Sequence, residues 1–371
     1  MARAWAEVSL GAVRRNVEVL RELAAPAEVC AVVKADGYGH GAVPVARAAL
    51  DAGAAWLGVA QVPEASAIRG AEIDAPMLLL SEPRPDELDD ALAASLHITV
   101  YRPELIAGLS KAVAAHGIAP VPVHLKVDTG MRRVGVATDD AVAVATRIAE
   151  DPYLSLQSVW THCAVADEPD NPFTALQLER YEAVLADLEA AGIPVPLRHA
   201  ANSAAAIAHP ASRYDLVRCG ISIYGIPPAP ALASVAPLVP AVRLATEVSF
   251  VKVVPAGEGV SYGHRQRTAR DTRLATLPIG YADGVFRNLP LAGQEVLIGG
   301  RRHPMLGVVT MDQVMVDLGP DSDVAPGDEA VLLGAQGDER ITPDEWAAKL
   351  GTISYEVVCA LGARIERRYV N

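Results

Sequence analysis

Short apolar runs alternate with long segments of helical periodicity over the first 225 residues of the chain. Eight of these runs have the length and composition of buried strands: residues 29–34, 56–60, 76–81, 97–101, 121–127, 154–162, 197–201 and 215–219. Between them, apolar residues recur at spacings of three and four, which predicts helices over 83–94, 103–116, 139–149 and 174–191. Eight β-α units of this length favour a closed parallel barrel over a doubly wound sheet, although the pattern alone barely separates the two.

The pattern changes after residues 227–237, "PPAPALASVAP". Alternating strand-like segments then dominate, and only "TPDEWAAKLG" predicts a clear helix, with Thr342 as its N-cap and Glu345 three residues later. The sequence therefore predicts an α/β barrel domain over 1–237 and a mainly β domain over 238–371.

Composition and charge narrow the class of protein. The formal net charge is −13 with no basic stripe, which argues against nucleic-acid binding. No apolar run reaches the ~18 residues of a membrane span, and residues 1–20 lack the apolar core of a signal peptide, so a cytoplasmic protein is expected. The four cysteines are widely spaced, which predicts small buried side chains and neither disulfides nor a metal site.

The stretch "CAVVKADGYGHG" poses a question about Lys34. An apolar run ends abruptly on this lysine and breaks into Asp36, glycines, a tyrosine and a histidine. A lysine at a strand end can simply reach solvent, or it can be held inside because its amine is used. The fragment alone leaves both interpretations open.

Other polar residues follow the predicted strands in the same way. In a barrel, the C-terminal ends of the strands meet at one face, which carries the active site in this fold. We call this set the barrel mouth: Lys34, Lys126, Asp128, His162, His199, Asn202, Ser203, Arg218, Gly220 and Ile221. Each member alone has an ordinary structural explanation, but their coincidence at so many strand ends predicts a site.

The residue types indicate a particular chemistry. A lysine amine in a water-poor pocket loses its proton more easily and can form a Schiff base with an aldehyde. The segments "HAANSAA" and "RCGISIYG" supply hydroxyls, backbone N–H groups and a glycine, as a phosphate site at the last barrel strands requires. A lysine beside a phosphate site suggests pyridoxal phosphate.

Eight motifs now point to one family. In order, "AVVKADGYGHG", "KVDTGMRRVG", "HAANSAA", "VRCGISIYG", "VSYG", "PIGYADG", "VTMDQVMVDLG" and "SYEVVCALGARIERRY" resemble the alanine racemases across nearly the whole chain. The resemblance implies an α/β barrel, a C-terminal β domain and a homodimer with active sites shared between subunits. It also implies pyridoxal phosphate and the interconversion of L- and D-alanine for peptidoglycan synthesis.

The resemblance further implies a role for each matching residue. Lys34 matches the cofactor lysine and the base for D-alanine, and Tyr262 matches the base for L-alanine. Five residues match phosphate ligands: Tyr38, Ser203, Gly220, Ile221 and Tyr355. Asn202 precedes Ser203 in the motif "HAANSAA" and is assigned to the cofactor site with it. Arg218 matches the arginine that faces the pyridine nitrogen, and His162 matches the residue that links this arginine to the catalytic tyrosine.

The resemblance also implies residues that contact the substrate. Arg133 and the backbone N–H of Met311 match the ligands of the substrate carboxylate. Lys126 matches a lysine that is often carbamylated in the family, and Tyr281 and Asp312 match residues at the entrance of the active site.

Three other functions stay possible at this point. A racemase for serine or lysine would share most motifs and differ around Tyr281, Met311 and Tyr355. A non-catalytic pyridoxal phosphate carrier on the same barrel should lack the β domain and Tyr262. A decarboxylase of similar architecture should have an acidic residue where Arg218 stands.

Overall fold

The computed structural model describes residues 4–371, which form two compact units. The barrel unit comprises Ala12–Gly37 and Ala42–Val239, and the β unit comprises the chain up to Gly11, Tyr38–Gly41 and Pro240–Asn371. The first strand, β1 (Ala4–Ser9), lies at the start of the range predicted for the barrel domain, but it pairs within a sheet of the β unit.

Eight parallel strands form the barrel. They are β2 (Glu28–Val32), β3 (Trp56–Val59), β4 (Met77–Leu79), β5 (His97–Val100), β6 (Val121–Lys126), β7 (Leu154–Trp160), β8 (Leu197–His199) and β9 (Leu216–Cys219), in the order β8-β7-β6-β5-β4-β3-β2-β9. Backbone hydrogen bonds close the ring, from Asp215 N to Arg198 O at 3.1 Å and from Arg218 N to Ala201 O at 3.0 Å. The predicted barrel is confirmed, and seven of its strands end one or two residues earlier than predicted.

Helices of the barrel unit connect successive strands. They are Leu10–Ala24, which begins in the β unit, Ala42–Asp51, Val62–Gly70, Leu88–Ala93, Pro103–His116, Ala141–Ala149, Phe173–Ala190 and Ser203–Ala208. The helix predicted over 83–94 is a 3-10 turn, Pro85–Glu87, followed by an α-helix. The helix Pro103–His116 has its predicted bounds, because Pro103 starts it and Gly117, with φ of 62°, ends it.

The β unit is built mainly of strands, as predicted. They are β10 (Val242–Glu247), β11 (Phe250–Val254), β12 (Gly259–Val260), β13 (Gln266–Arg267), β14 (Thr272–Leu277), β15 (Glu295–Ile298), β16 (Arg301–Pro304), β17 (Val314–Gly319), β18 (Glu329–Gln336), β19 (Glu339–Ile341) and β20 (Glu366–Val370). One sheet has the order β16-β15-β18-β10-β1-β20, with β19 paired to β18, and a second has the order β11-β14-β17. Strand β1 runs antiparallel to β10 and parallel to β20.

Two helices accompany these strands. The helix Pro343–Leu350 has the predicted cap, since the Thr342 hydroxyl accepts from Glu345 N at 3.1 Å. The second, Ser354–Cys359, is too short for periodicity to predict. It leaves Cys359 exposed, so the expectation of four buried cysteines holds only for Cys30, Cys163 and Cys219. No helix in the described part of the chain is long and apolar enough to cross a bilayer.

Candidate active site

Lys34 begins a left-handed turn. Strand β2 ends at Val32, and Ala35, Asp36, Gly37 and Tyr38 have φ values of 52°, 51°, 61° and 52°. Three of these four are not glycine, so the turn is strained. The Glu64 carboxylate accepts from Ala35 N at 2.7 Å, and Asp36 Oδ1 accepts from Ala42 N at 2.9 Å. These contacts fix the backbone immediately after Lys34.

Arg218 is a buried cation surrounded by neutral acceptors. Its guanidinium donates to Thr161 O at 2.8 Å and Ala200 O at 2.9 Å, and it lies 2.8 Å from His199 Nδ1. Its Cζ stands 4.5 Å from the centre of the Trp160 ring. Burial lowers the pKa of Arg218 to about 10, so it stays charged at neutral pH. No carboxylate of the described residues forms an ion pair with it.

His162 lies beside Arg218 as a neutral ring. Its Nδ1 is 3.3 Å from the Arg218 nitrogen that also donates, over shorter distances, to Thr161 O and Ala200 O. Burial, followed by the charges of Arg218, Lys126, Arg133 and Lys34, holds the pKa of His162 well below its ordinary value. Since guanidinium has no acceptor, Nδ1 of His162 must accept, and its proton is on Nε2.

Positive charge concentrates at the barrel mouth. Lys126 is 3% exposed, and its Nζ lies 4.3 Å from the Trp160 ring centre. Burial and then the charges of Arg218 and Arg133 lower the pKa of Lys126 to about 7, although Asp128 opposes them. The carboxylate oxygen Oδ1 of Asp128 accepts hydrogen bonds from the backbone N–H groups of Gly130 and Arg132, at 2.9 and 3.0 Å. The barrel mouth is thus suited to bind anions.

Hydrogen-bond donors gather around Ser203. Its hydroxyl oxygen accepts from Gly220 N and from the Ser222 hydroxyl, both at 2.9 Å. Asn202 caps the helix that Ser203 begins, since its side chain accepts from Ala205 N at 2.9 Å. Converging hydroxyl and backbone donors beside a cationic barrel mouth fit a phosphate group.

A buried asparagine anchors the turn that contains Ile221. Asn16 donates to Ile223 O at 3.1 Å and Val239 O at 2.9 Å, and it accepts from Val239 N at 2.7 Å. These bonds hold the 3-10 turn Ile221–Tyr224, which follows Gly220.

In the β unit, the motifs "PIGYADG" and "VTMDQ" lie together. Tyr281 N donates to Thr310 O at 3.0 Å and Ala282 N to Met311 O at 3.1 Å. A Cβ at Gly280 would lie 2.3 Å from Met311 O, so only glycine permits this approach. Arg364 bridges Asp283 and Asp312 at 2.9 and 2.8 Å.

The remaining predicted residues of the β unit include exposed side chains. Tyr262 is 70% exposed, Met311 53% and Tyr281 43%. Tyr38 and Tyr355 form a pair with ring centroids 6.3 Å apart, and burial raises the pKa of Tyr38 above its ordinary value.

The predicted residues thus fall into two sets. The barrel unit holds Lys34, Lys126, Arg133, His162, Asn202, Ser203, Arg218, Gly220 and Ile221, and the β unit holds Tyr38, Tyr262, Tyr281, Met311, Asp312 and Tyr355. Sequence reasoning missed Trp160 and Glu64. Trp160 lies two residues after Ser158 in β7, and this period of two could have indicated that both side chains share the inner face of the strand.

Comparisons with known proteins agree over nearly the whole chain. The family model of the alanine racemase N-terminal domain matches residues 8–228, and that of the C-terminal domain matches 241–369. The alanine racemase of Symbiobacterium thermophilum is 48% identical over 369 residues, covering 100% of this chain and 97% of that protein. The alanine racemase of Nostoc sp. is 44% identical, with 98% and 95% covered.

Solved structures give the same result. The alanine racemase of Streptomyces coelicolor is 41% identical, with a TM-score of 0.93 and 100% of this chain and 99% of that chain covered. The alanine racemase of D-cycloserine-producing Streptomyces lavendulae is 39% identical, with a TM-score of 0.94 and coverage of 100% and 98%. The sequence motifs, the barrel, and these family matches together place the chain in the alanine racemase family.

Proposed function

We propose that Lys34 and Tyr262 are the two acid–base residues of an active site that interconverts L-alanine and D-alanine. The observation that carries this proposal is the cationic barrel mouth, where Lys34 follows the first barrel strand and Arg218 meets only neutral acceptors. The barrel unit would bind most of the cofactor, and Tyr262, Tyr281 and Met311 of the β unit would complete the site of the partner subunit.

The residues at the barrel mouth fit pyridoxal phosphate. Lys34 would bind its aldehyde carbon, while the donors around Ser203, Gly220 and Ile221, with Asn202, would hold its phosphate together with Tyr38 and Tyr355. Arg218 would donate to the pyridine nitrogen. When bound, this cofactor withdraws electrons from the α-carbon of an attached amino acid and makes the α-proton acidic.

Inversion at the α-carbon requires two groups on opposite faces. One base alone would return the proton to the face from which it was taken. Lys34 Nζ would therefore take the α-proton of D-alanine, and the phenol of Tyr262 would deliver a proton to the other face. In the reverse direction their roles exchange.

Tyr262 needs help to act as a base near neutral pH, because a phenol has a pKa of ~10. His162 has the required form, since it is neutral and its Nδ1 accepts from Arg218. Its Nε2–H can then donate to a phenolate oxygen. Arg218 itself keeps its proton, so a pyridine nitrogen facing it stays unprotonated, which disfavours transamination.

Arg133 and the backbone N–H of Met311 would bind the alanine carboxylate. Lys126 would orient Arg133 as a carbamate, which forms when the neutral amine attacks carbon dioxide and releases a proton. The lowered pKa of about 7 supports this, because the amine of Lys126 then loses its proton far more readily than that of an ordinary lysine. Arg132 instead points to Asp128, at 3.9 Å.

The proposed enzyme is a homodimer in the cytoplasm, where D-alanine is supplied for peptidoglycan synthesis. Tyr262, Tyr281 and Met311 are exposed in a single chain, as expected for residues that complete a site in a second copy. Tyr281, Tyr355 and the segment with Asp312 would narrow the entrance and favour a one-carbon side chain. A racemase with broader specificity is the alternative, and substrate comparison decides between them.

The test is solvent exchange with purified enzyme, pyridoxal phosphate and L-alanine in deuterated water. We expect D-alanine that carries α-deuterium, formed much faster than D-serine or D-lysine from their enantiomers. Chiral chromatography with mass detection measures both products. Equal rates for the three amino acids would instead support the broad-specificity racemase.

Two variants test the acid–base roles separately. Tyr262→Phe should abolish inversion yet still exchange the α-proton of D-alanine through Lys34, and it should leave the α-proton of L-alanine untouched. Lys34→Ala should lose both the cofactor absorbance and the activity. Exchange of L-alanine by Tyr262→Phe would contradict the assignment of the two faces.

A further inference from the structure

A buried chain of polar side chains crosses the barrel interior and ends at Arg218. It runs from His97 Nδ1 to His124 Nε2 at 3.0 Å, from His124 Nδ1 to the Ser158 hydroxyl at 2.6 Å, and from that hydroxyl to His199 Nε2 at 2.9 Å. His199 Nδ1 then lies 2.8 Å from Arg218. Three of the linking residues, His124, Ser158 and His199, are fully buried.

The arginine at one end fixes the direction of every hydrogen bond. A guanidinium only donates, so Nδ1 of His199 must accept and its proton lies on Nε2. That N–H donates to the Ser158 oxygen. Among the described residues the Ser158 hydroxyl has one other hydrogen-bond partner, Nδ1 of His124, so its proton is donated there. His124 consequently carries its proton on Nε2, which donates to Nδ1 of His97.

This ordering requires neutral rings. Burial holds the pKa values of His124 and His199 well below the ordinary value, and burial with the charge of Arg69 lowers that of His97 to about 4. If His199 were protonated on both nitrogens, its Nδ1–H would face an N–H of Arg218, and two donors would meet at 2.8 Å. Each ring therefore has one N–H and one bare nitrogen near neutral pH.

The chain also limits the movement of the guanidinium. His199 is stacked on Trp160, with centroids 5.4 Å apart and planes at 7°, and Arg218 lies over the same indole. The ring of His199 is held by Arg218 on one nitrogen and by Ser158 on the other. Loss of the Ser158 hydroxyl would remove the second anchor and leave buried polar atoms on both sides without their partner.

We propose that Ser158, His124 and His97 are positioning residues that act through His199 to fix the orientation of Arg218 at the barrel mouth. None of them needs to touch a bound molecule. Their effect on catalysis rests on the proposed role of Arg218, whereas the ordering of their protons depends only on the barrel.

The first test is the tautomer of each ring, measured by long-range proton–nitrogen correlation NMR on ¹⁵N-histidine-labelled enzyme with and without pyridoxal phosphate. We expect His97, His124 and His199 all to carry the proton on Nε2. A proton on Nδ1 of any of these three would overturn the proposal. This result does not depend on whether the enzyme racemises alanine, so the two proposals fail separately.

The second test breaks the chain with Ser158→Ala. His199 should keep its tautomer, while His124 and His97 lose theirs and show a mixture. The kcat for alanine should fall about tenfold, equivalent to about 1.4 kcal/mol, with KM changed less than twofold, because the proposed carboxylate ligand Arg133 is not in the chain.

Two further variants supply the controls. Ser158→Thr retains the hydroxyl and should restore kcat and the tautomers. Thr99→Val removes a buried hydroxyl of β5 that has no hydrogen-bond partner, and it should change neither. Unchanged kcat in Ser158→Ala, or an equal loss in Thr99→Val, would overturn the positioning role. If Ser158→Ala does not fold, the wild-type tautomers still decide the ordering.

Discussion

Replacement of Lys126 by methionine tests the electrostatics of the barrel mouth most directly. An unfolded lysine titrates at an ordinary pKa of 10.5, whereas burial and neighbouring cations lower the pKa of Lys126 to about 7 in the folded protein. Between these values the unfolded chain binds one more proton than the folded chain. The free energy of unfolding therefore rises with pH, by about 1.4 kcal/mol per pH unit.

Across the interval from pH 7 to pH 10.5 this amounts to at most about 5 kcal/mol. Lys126→Met keeps the apolar stem and removes the titration. The variant should therefore be most stabilised relative to wild type at pH 7 and below, and its advantage should shrink steadily as the pH rises towards 10.

The assay is urea unfolding of both proteins in one-unit pH steps, at one protein concentration and in buffers free of carbon dioxide, so that no carbamate forms. Lys111→Met, which removes an exposed lysine from the helix Pro103–His116, controls for the loss of one charge. A difference between wild type and Lys126→Met that stays constant from pH 7 to pH 10 would refute the reasoning.

Three further changes test the framework around the site. Ala35→Gly should raise the free energy of unfolding by about 1 kcal/mol in urea titrations, because Ala35 has φ of 52°; a loss of stability would show that the turn is unstrained. Asn16→Ala should lower the free energy of unfolding by about 2 kcal/mol, since it leaves the buried Ile223 carbonyl and two part-buried backbone groups of Val239 without their partner. It should also weaken pyridoxal phosphate binding in absorbance titrations, and unchanged affinity would contradict this. Gly280→Ala should raise KM for alanine in racemase assays, because its Cβ would force Met311 away, and a normal KM would exclude this effect.

The strands of the barrel could be predicted because each is a short apolar run flanked by helical periodicity. The turn after Lys34 could not, since neither Ala35 nor Asp36 prefers left-handed geometry. Glu64, 29 residues from Ala35, holds that turn through a tertiary contact. Local pattern likewise cannot show that β1 pairs with β10 and β20, because those partners lie hundreds of residues away.

The barrel mouth could be predicted because its residues break the apolar pattern at strand ends. Trp160 does not break it, so its contacts with Lys126, His199 and Arg218 emerged only from the structure. The exposure of Tyr262 was also outside the reach of the sequence, since a tyrosine after a strand fits a buried position equally well.

The pairing of β1 with β20 has a consequence for biosynthesis. Trp5 lies opposite Glu366 and Ser9 opposite Val370. Strand β1 is therefore synthesised early but can pair with β20 only after more than 350 further residues have been made. The barrel strands are complete once Cys219 has left the ribosome, and they can fold while this first strand is still unpaired. The β unit is therefore expected to form after the barrel unit.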